Sequence, residues 1–151
     1  MSEYEHTAII QCRAQQVFDF VSTIDNLPRY LPTVTNAMPQ DGERVRVQGE
    51  AAGHRYDSDG FYHVDKSRKH MEWGSDGENQ YRGWLEVRDN GGTTTTVVVH
   101  LSFEPNPAMN KRFEQQTGDR DRTIQEGLQN AVESIKNLCE GRGGKVESSA
   151  A

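Results

Sequence analysis

A long stretch without helical periodicity, from Thr33 to Glu104, limits the folds that this chain can adopt. Turn signals such as Gln40-Asp41-Gly42 and Asn90-Gly91-Gly92 interrupt it at intervals of about 8–12 residues. The segments between the turns are strand candidates at 33–39, 43–51, 54–64, 69–74, 80–89 and 93–104. Strands at this spacing predict an antiparallel meander.

Helical patterns flank the meander on both sides. After a first strand at 3–12, apolar residues at i, i+3, i+4 and i+7 predict a short amphipathic helix: Ala14, Val17, Phe18 and Val21. A second short helix follows, with Asp25 as its predicted N-cap, Pro28 in its first turn and Pro32 after its end. Residues 120–140 carry one apolar stripe along a long helix, formed by Ile124, Leu128, Ala131, Ile135 and Leu138.

This order of elements predicts an α+β fold. A meander of this length buries one face, and only the long C-terminal helix is large enough to cover it. We therefore expect a curved antiparallel sheet of about seven strands wrapped on that helix, with two short helices after strand 1. The chain is then one domain over 1–141 with a flexible tail at 142–151, because Gly141-Arg142-Gly143-Gly144 ends the helix.

Composition and charge argue against several classes of protein. The net charge of -6 disfavours nucleic-acid binding, which needs a basic face, and docking on an anionic membrane surface. No apolar run approaches the roughly 18 residues of a membrane span, and no basic stretch followed by an apolar block marks a secretory signal. Two cysteines, Cys12 and Cys139, are too few for a disulfide scaffold. We expect a cytoplasmic protein with free thiols, a monomer or weak dimer without stable membrane insertion.

Residues of the first helical region carry a family resemblance. The run Val17-Phe18-Asp19-Phe20-Val21, followed by Asp25-Asn26-Leu27-Pro28-Arg29-Tyr30-Leu31-Pro32, resembles the pattern of the START-like, or SRPBCC, superfamily, whose fold is called helix-grip. Met71-Glu72-Trp73 and Gly49-Glu50-Ala51-Ala52-Gly53 are similar to its bacterial polyketide cyclase/dehydrase and lipid-transport branch. The resemblance covers about residues 3–140. It implies binding of a hydrophobic or aromatic small molecule, for transport or sequestration, in a cavity between the sheet and the C-terminal helix.

Strand alternation predicts which side chains line that cavity. Strand 80–89 has two possible registers, because a three-residue loop turns Tyr81 and Leu85 inward and a two-residue loop turns Arg82, Trp84 and Glu86 inward instead. We favour the first register, because the second buries an arginine and a glutamate. The predicted ligand-binding residues are Tyr56, Ser58, Tyr62, Met71, Trp73, Tyr81, Leu85, Val99, Leu101, Phe113, Ile124 and Leu128. Their phenol and indole groups suit a flat amphipathic ligand.

Two further functions stay open beside ligand binding. A polyketide cyclase or dehydratase needs a proton donor and an acceptor inside the cavity. The candidates for this chemistry are Tyr56, Tyr62, Tyr81, Glu50, His54 and, in the second register, Arg82 and Glu86. They form no recognisable dyad, so we assign no catalytic residue and favour a binding protein over an enzyme. The third function is that of a ribosome- or quinone-associated accessory protein, which the superfamily also includes.

Metal and cofactor sites have little support in the sequence. The five histidines show no H-x-H or H-x-x-x-H spacing. The run Asp57-Ser58-Asp59-Gly60 fails as a calcium loop, because Arg55 and Lys66 fall where acidic ligands are required. We expect neither a metal nor a cofactor.

Overall fold

The computed structural model describes residues 2–31, 33–51, 54–75, 80–104 and 120–141. For some residues within these ranges, including Tyr56, Ser58 and Tyr81, the description is limited to the backbone. The predicted site residue Phe113 and the predicted tail at 142–151 lie outside the described residues.

The described strands form one antiparallel sheet. The strands are β1 (Ser2–Ile10), β2 (Val34–Gln40), β3 (Arg44–Ala51), β4 (His54–Asp65), β5 (His70–Ser75), β6 (Gln80–Asp89) and β7 (Thr95–Glu104). Their order across the sheet is β1-β7-β6-β5-β4-β3-β2, so β2 to β7 form the predicted meander and β1 pairs with its last strand. The prediction of a curved sheet of about seven strands is confirmed.

The hairpin between β6 and β7 settles the register of β6. Its loop has five residues rather than the predicted three, because Asp89 pairs with Thr95. Gly91 and Gly92 both have positive φ angles, 85° and 83°, a conformation that favours glycine. A loop of three residues and a loop of five turn the same set of β6 side chains inward, because both lengths are odd. Leu85 and Val87 are therefore buried on the inner face, as predicted.

Two short helices follow β1, as predicted. Helix α1 (Ala14–Ser22) buries Ala14, Val17, Phe18 and Val21, the four residues of its predicted apolar stripe. A 3-10 turn at Ile24–Asn26 leads into α2 (Leu27–Tyr30), which has Pro28 near its start. The prediction of Asp25 as N-cap is wrong, because the turn moves the start of α2 to Leu27.

Side chains from three elements cap the C-terminal end of α1. The last carbonyl groups of a helix have no partner within the helix. Here four of them accept side-chain hydrogen bonds: Asp19 O from Thr23 Oγ1 (2.7 Å), Phe20 O from Asn26 Nδ2 (2.9 Å), Val21 O from Tyr30 Oη (2.8 Å) and Ser22 O from Tyr62 Oη (2.9 Å). Two of these donors, Asn26 and Tyr30, belong to the 25–32 motif, so the motif has a structural role.

The long helix α3 (Arg120–Cys139) packs along β1 and also contacts α1, α2 and β7. Polar contacts fasten the two ends of the helix, with Glu140 that follows it, to β1 and the adjacent Gln11. At its start, Tyr4 Oη donates to Asp121 Oδ1 (2.6 Å). At its end, Lys136 Nζ donates to Ile9 O (3.3 Å), and the backbone amide of Gln11 donates to Glu140 Oε2 (2.7 Å). The helix therefore lies across one edge of the sheet, over β1.

Candidate ligand-binding site

The inner face of the sheet and the inward stripe of α3 enclose most of the predicted site residues. Tyr62, Met71, Leu85, Val99 and Leu128 are all buried in one hydrophobic cluster. Strand register explains this for the sheet residues, because Met71 pairs with Leu85 and Leu85 pairs with Val99. These five residues form the buried part of the candidate site, in the same cluster as Phe18 of α1.

A neighbouring row across the sheet is less deeply buried. Trp73 pairs with Gly83, Gly83 with Leu101, and Leu101 with Tyr4. Trp73 and Leu101 are only partly buried. Because Tyr4 is bonded to Asp121 in the first turn of α3, this row lies near the start of that helix. The partly buried Ile124 stands one turn further along the helix.

We call Trp73, Leu101 and Ile124 the open end of the site. All three are predicted site residues, and all three keep accessible apolar surface next to the buried cluster. Gly127, on the same helix, is partly shielded from solvent, yet a Cβ built on it meets no heavy atom within 4 Å.

The other predicted residues of the sheet are placed by the pairing of their backbones. The backbone of Tyr56 pairs with Gly49, Ser58 with Val47 and Tyr81 with Phe103. Their assignment to the site stays a prediction from strand alternation, as does that of Phe113.

Trp73 lies directly over Gly83. A Cβ built on Gly83 falls 2.6 Å from Cε2 and Cζ2 of the indole and 2.7 Å from Nε1. Ordinary contacts between carbon atoms are about 3.5–4.0 Å. Any side chain at Gly83 would therefore displace the indole, so this glycine is required by the close approach of the ring.

The hydroxyl of Tyr62, which the sequence suggested as an acid–base group, makes a structural hydrogen bond. The hydroxyl donates to Ser22 O at 2.9 Å and lies 3.9 Å from the sulfur of Met71. Burial raises the pKa of the Tyr62 phenol far above its ordinary value, because the charged phenolate is disfavoured away from water. The phenol is thus a capping donor with no tendency to ionise at neutral pH.

The second register of β6, with its charged residues turned inward, is wrong. Arg82 and Glu86 lie on the outer face of the sheet, where Arg88 pairs with Glu86 at 2.9 Å. The physical reason is the free energy of burying charge. In the observed register the inward side chains include Leu85 and Val87, and no charged side chain is buried. Glu50 is likewise exposed, and the side chain of His54 is not described.

Two histidines and several carboxylates lie on the outer face of the sheet, whereas His6 pairs with Val99 of the inner face. His70 and His100 stack on Trp84, with ring centroids 5.7 and 5.4 Å apart from it. His70 contacts Glu72, and His100 contacts Glu3 and Glu5. Within the described residues, no group of three His, Cys, Asp or Glu side chains is arranged to hold a metal ion.

Two surface hollows also lie on this face. One of about 480 Å³ is lined by polar residues of β2 to β4: Thr35, Gln48, Gly49, Glu50, Arg55 and Asp57. The other, of about 270 Å³, adjoins Trp84, Arg82 and His100. Both are lined mostly by outward-pointing side chains, although Trp73 and Gly83 also line the second.

The pKa of the His63 ring should lie above the ordinary value for histidine. The Glu43 carboxylate, which is hydrogen-bonded to the His63 ring, raises the pKa of His63, with smaller contributions from Glu72 and Asp65. A raised folded-state pKa means that the pair stabilises the fold at low pH and loses this effect as pH rises through that value. An NMR titration of the His63 ring protons should show a pKa above about 6.5, and Glu43→Gln should lower it. A larger drop in Glu72→Gln than in Glu43→Gln would contradict this assignment.

A curved sheet that grips a C-terminal helix, with two short helices after its first strand, defines a START-like protein of the helix-grip fold. The sequence model of the family described as "Polyketide cyclase / dehydrase and lipid transport" matches residues 1–140, and the chain belongs to this family. No curated protein matches the sequence.

Solved structures share the fold at low sequence identity. The Zhui aromatase/cyclase from Streptomyces sp. R1128 superposes with a TM-score of 0.69 at 12% identity, covering 94% of this chain and 98% of that one. A START superfamily protein from Mycobacterium smegmatis gives 0.66 at 15% identity, covering 90% and 97%. The di-domain ARO/CYC BexL from the BE-7585A biosynthetic pathway gives 0.65 at 18% identity, covering 91% of this chain but only 48% of that one. This chain therefore spans about half of the di-domain protein.

No helix in the described part of the chain combines the length and the apolar character needed to cross a bilayer.

Proposed function

We propose that this protein binds a hydrophobic or aromatic small molecule between the inner face of the sheet and α3. The observation that carries the proposal is the open end, where Trp73, Leu101 and Ile124 keep accessible apolar surface that is continuous with the buried cluster. Concave apolar sites with few polar groups are typical of small-molecule pockets. The family description names lipid transport, which fits such a ligand.

The proposal is tested with a ligand panel and a matched pair of variants. Native mass spectrometry and thermal shift are run with fatty acids, quinones, sterols and aromatic polyketides. Leu101→Gln and Ile124→Gln place an amide in the open end and should weaken binding at least about tenfold, because a polar group is then buried against the ligand. Ile9→Gln is the control, since Ile9 is a large apolar residue on the outer side of β1 that is 57% exposed.

Two results would overturn ligand binding at this site. One is that no member of the panel binds the wild-type protein. The other is that Ile9→Gln weakens binding as much as Leu101→Gln and Ile124→Gln do.

A cyclase or dehydratase is the second candidate function, since similar structures include an aromatase/cyclase. Because the Tyr62 hydroxyl is bonded to Ser22 O, the remaining phenols for proton transfer are Tyr56 and Tyr81. Product analysis with a reactive poly-β-keto substrate tests this function. Turnover that is lost in Tyr56→Phe or Tyr81→Phe supports it, and product ratios equal to those of the spontaneous reaction reject it.

A further inference from the structure

We propose that the smaller hollow on the outer face of the sheet binds a free α-amino acid with an apolar side chain. The hollow has a volume of about 270 Å³ and is lined by residues of five neighbouring strands, β1, β7, β6, β5 and β4. Sites for drug-sized ligands have volumes of about 300–1,000 Å³, so this hollow fits a smaller molecule. The proposal does not rest on ligand binding under α3.

Strand register brings charged side chains of both signs to this hollow. Arg82 and Trp84 are two positions apart on β6, so both point outward, about 6.6–6.8 Å apart along the strand. Glu72 on β5 pairs with Trp84. On the other side, Ser102 pairs with Arg82 and, in turn, with Glu3 of β1. One cation is therefore flanked by a carboxylate on each side.

The guanidinium of Arg82 is available to an anionic group of a ligand. Its Cζ lies 5.8 Å from the centroid of the Phe61 ring, which helps to hold it in place. Among the described residues, Arg82 has neither an ion pair nor a hydrogen bond through its side chain. Arginine presents its N–H donors in a planar fork that matches the two oxygens of a carboxylate. Arg82 is thus the group that binds the ligand carboxylate.

Each glutamate keeps one oxygen atom for a ligand ammonium. Glu72 Oε1 lies 3.1 Å from His70 Nε2, and Glu3 Oε1 lies 3.4 Å from both His100 Nε2 and Ser102 Oγ. In the part of the chain that the structure describes, no donor contacts Oε2 of either glutamate. The two side chains are 52% and 66% exposed, so a ligand can reach them.

This arrangement of charge favours a zwitterion. A plain carboxylic acid would pair with Arg82 but lie beside two carboxylates, and a plain amine would lie beside the arginine. An α-amino acid carries both groups on one carbon atom, so it can pair with Arg82 and Glu72 at the same time. The ring of Trp84 is stacked between two histidines, which leaves its edge, together with Phe61, for apolar contact with the ligand side chain.

The experiment uses three probes that share a phenyl ring. They are L-phenylalanine, 3-phenylpropionate, which lacks the ammonium, and 2-phenylethylamine, which lacks the carboxylate. NMR titration of the wild-type protein at neutral pH should give a Kd on the order of 1 mM for phenylalanine, because the ligand is small and the hollow is open. The other two probes should bind about three- to fivefold more weakly, the scale of one exposed charged contact.

The indole N–H signal of Trp84 reports binding at this hollow. The chain contains two tryptophans, so Trp84→Phe identifies the signal by its loss. We expect this signal to shift during the phenylalanine titration, because Trp84 lines the hollow.

Variants then assign the two charges. Arg82→Gln should weaken phenylalanine about three- to fivefold without weakening 2-phenylethylamine. Glu3→Gln/Glu72→Gln should remove the preference for phenylalanine over 3-phenylpropionate. Arg88→Gln is the matched control and should leave all affinities unchanged, since Arg88 is an exposed arginine of β6 that does not line the hollow.

Several outcomes would disprove this site. They are the absence of saturable phenylalanine binding up to its solubility limit, equal affinities for the three probes, and an Arg82→Gln variant that binds as well as Arg88→Gln. Phenylalanine binding that shifts the amide signals of Leu101 and Ile124 but not the Trp84 indole signal also disproves it. That last result would instead support ligand binding between the sheet and α3.

Discussion

Lys136→Met should lower the free energy of unfolding by about 2–3 kcal/mol, because it breaks an ion pair at the end of α3. The Glu140 side chain is only 6% exposed, and Lys136 Nζ lies 2.8 Å from its Oε2. The substitution removes the contact between Lys136 and this shielded carboxylate, while the amide of Gln11 still donates to it. Lys136 itself is 25% exposed, which reduces the loss below that of a fully buried pair.

Thermal and urea unfolding measure this effect, with a fall in Tm of roughly 5–10 °C for a domain of this size. Lys136→Met/Glu140→Gln should regain part of the loss, because the double variant also removes the shielded carboxylate charge. Arg88→Met is the control, since the Arg88–Glu86 pair is exposed and should change stability by less than about 0.5 kcal/mol. A Lys136→Met variant no less stable than Arg88→Met would show that the contact at the end of α3 contributes nothing.

Tyr62→Phe should destabilise the protein by about 2 kcal/mol, although the change removes a single oxygen atom. Without the hydroxyl, Ser22 O loses its side-chain donor at the partly buried end of α1, next to the core that contains Tyr62. Tyr30→Phe should have a similar effect through Val21 O, because Tyr30 is only 2% exposed. Chemical denaturation of the single and double variants gives both values and their coupling.

Tyr4→Phe provides the comparison for this prediction. The Tyr4 hydroxyl donates to Asp121, which is exposed and can exchange that bond for water, so its loss should cost less. Equal stability of wild type and Tyr62→Phe would mean that the phenol is not a cap, and Tyr62 would return to the candidates for proton transfer.

Periodic elements were predictable because their signals are local. The spacing of Val17, Phe18 and Val21 places one face of α1 toward the core without knowledge of its partner. The inward face of β6 could be predicted because the alternative register would bury charged side chains. The prediction was correct although the loop is two residues longer than expected, because side chains along a strand alternate with a period of two. The N-cap of α2 was missed, since the 3-10 turn before it leaves no distinct sequence signal.

Depth within the site was not predictable from alternation, which assigns a face but not a distance from the covering helices. Met71 and Trp73 share a face by sequence, yet only Met71 is fully buried. The contact between Tyr62 and Ser22 joins residues forty positions apart, and no local pattern indicates it. The Trp73–Gly83 contact also depends on strand register, although a glycine within a strand signals the close approach of another group.

Strand β2 stands at the edge of the sheet opposite β1. Edge strands are templates for the strand of another molecule, and such pairing begins aggregation. Two interruptions lie within its seven residues, since Pro39 has no amide hydrogen and the register shifts between Val34 and Asn36. The uninterrupted run of donors is too short to support a stable ladder, so we expect β2 to be a poor template for fibril-like association.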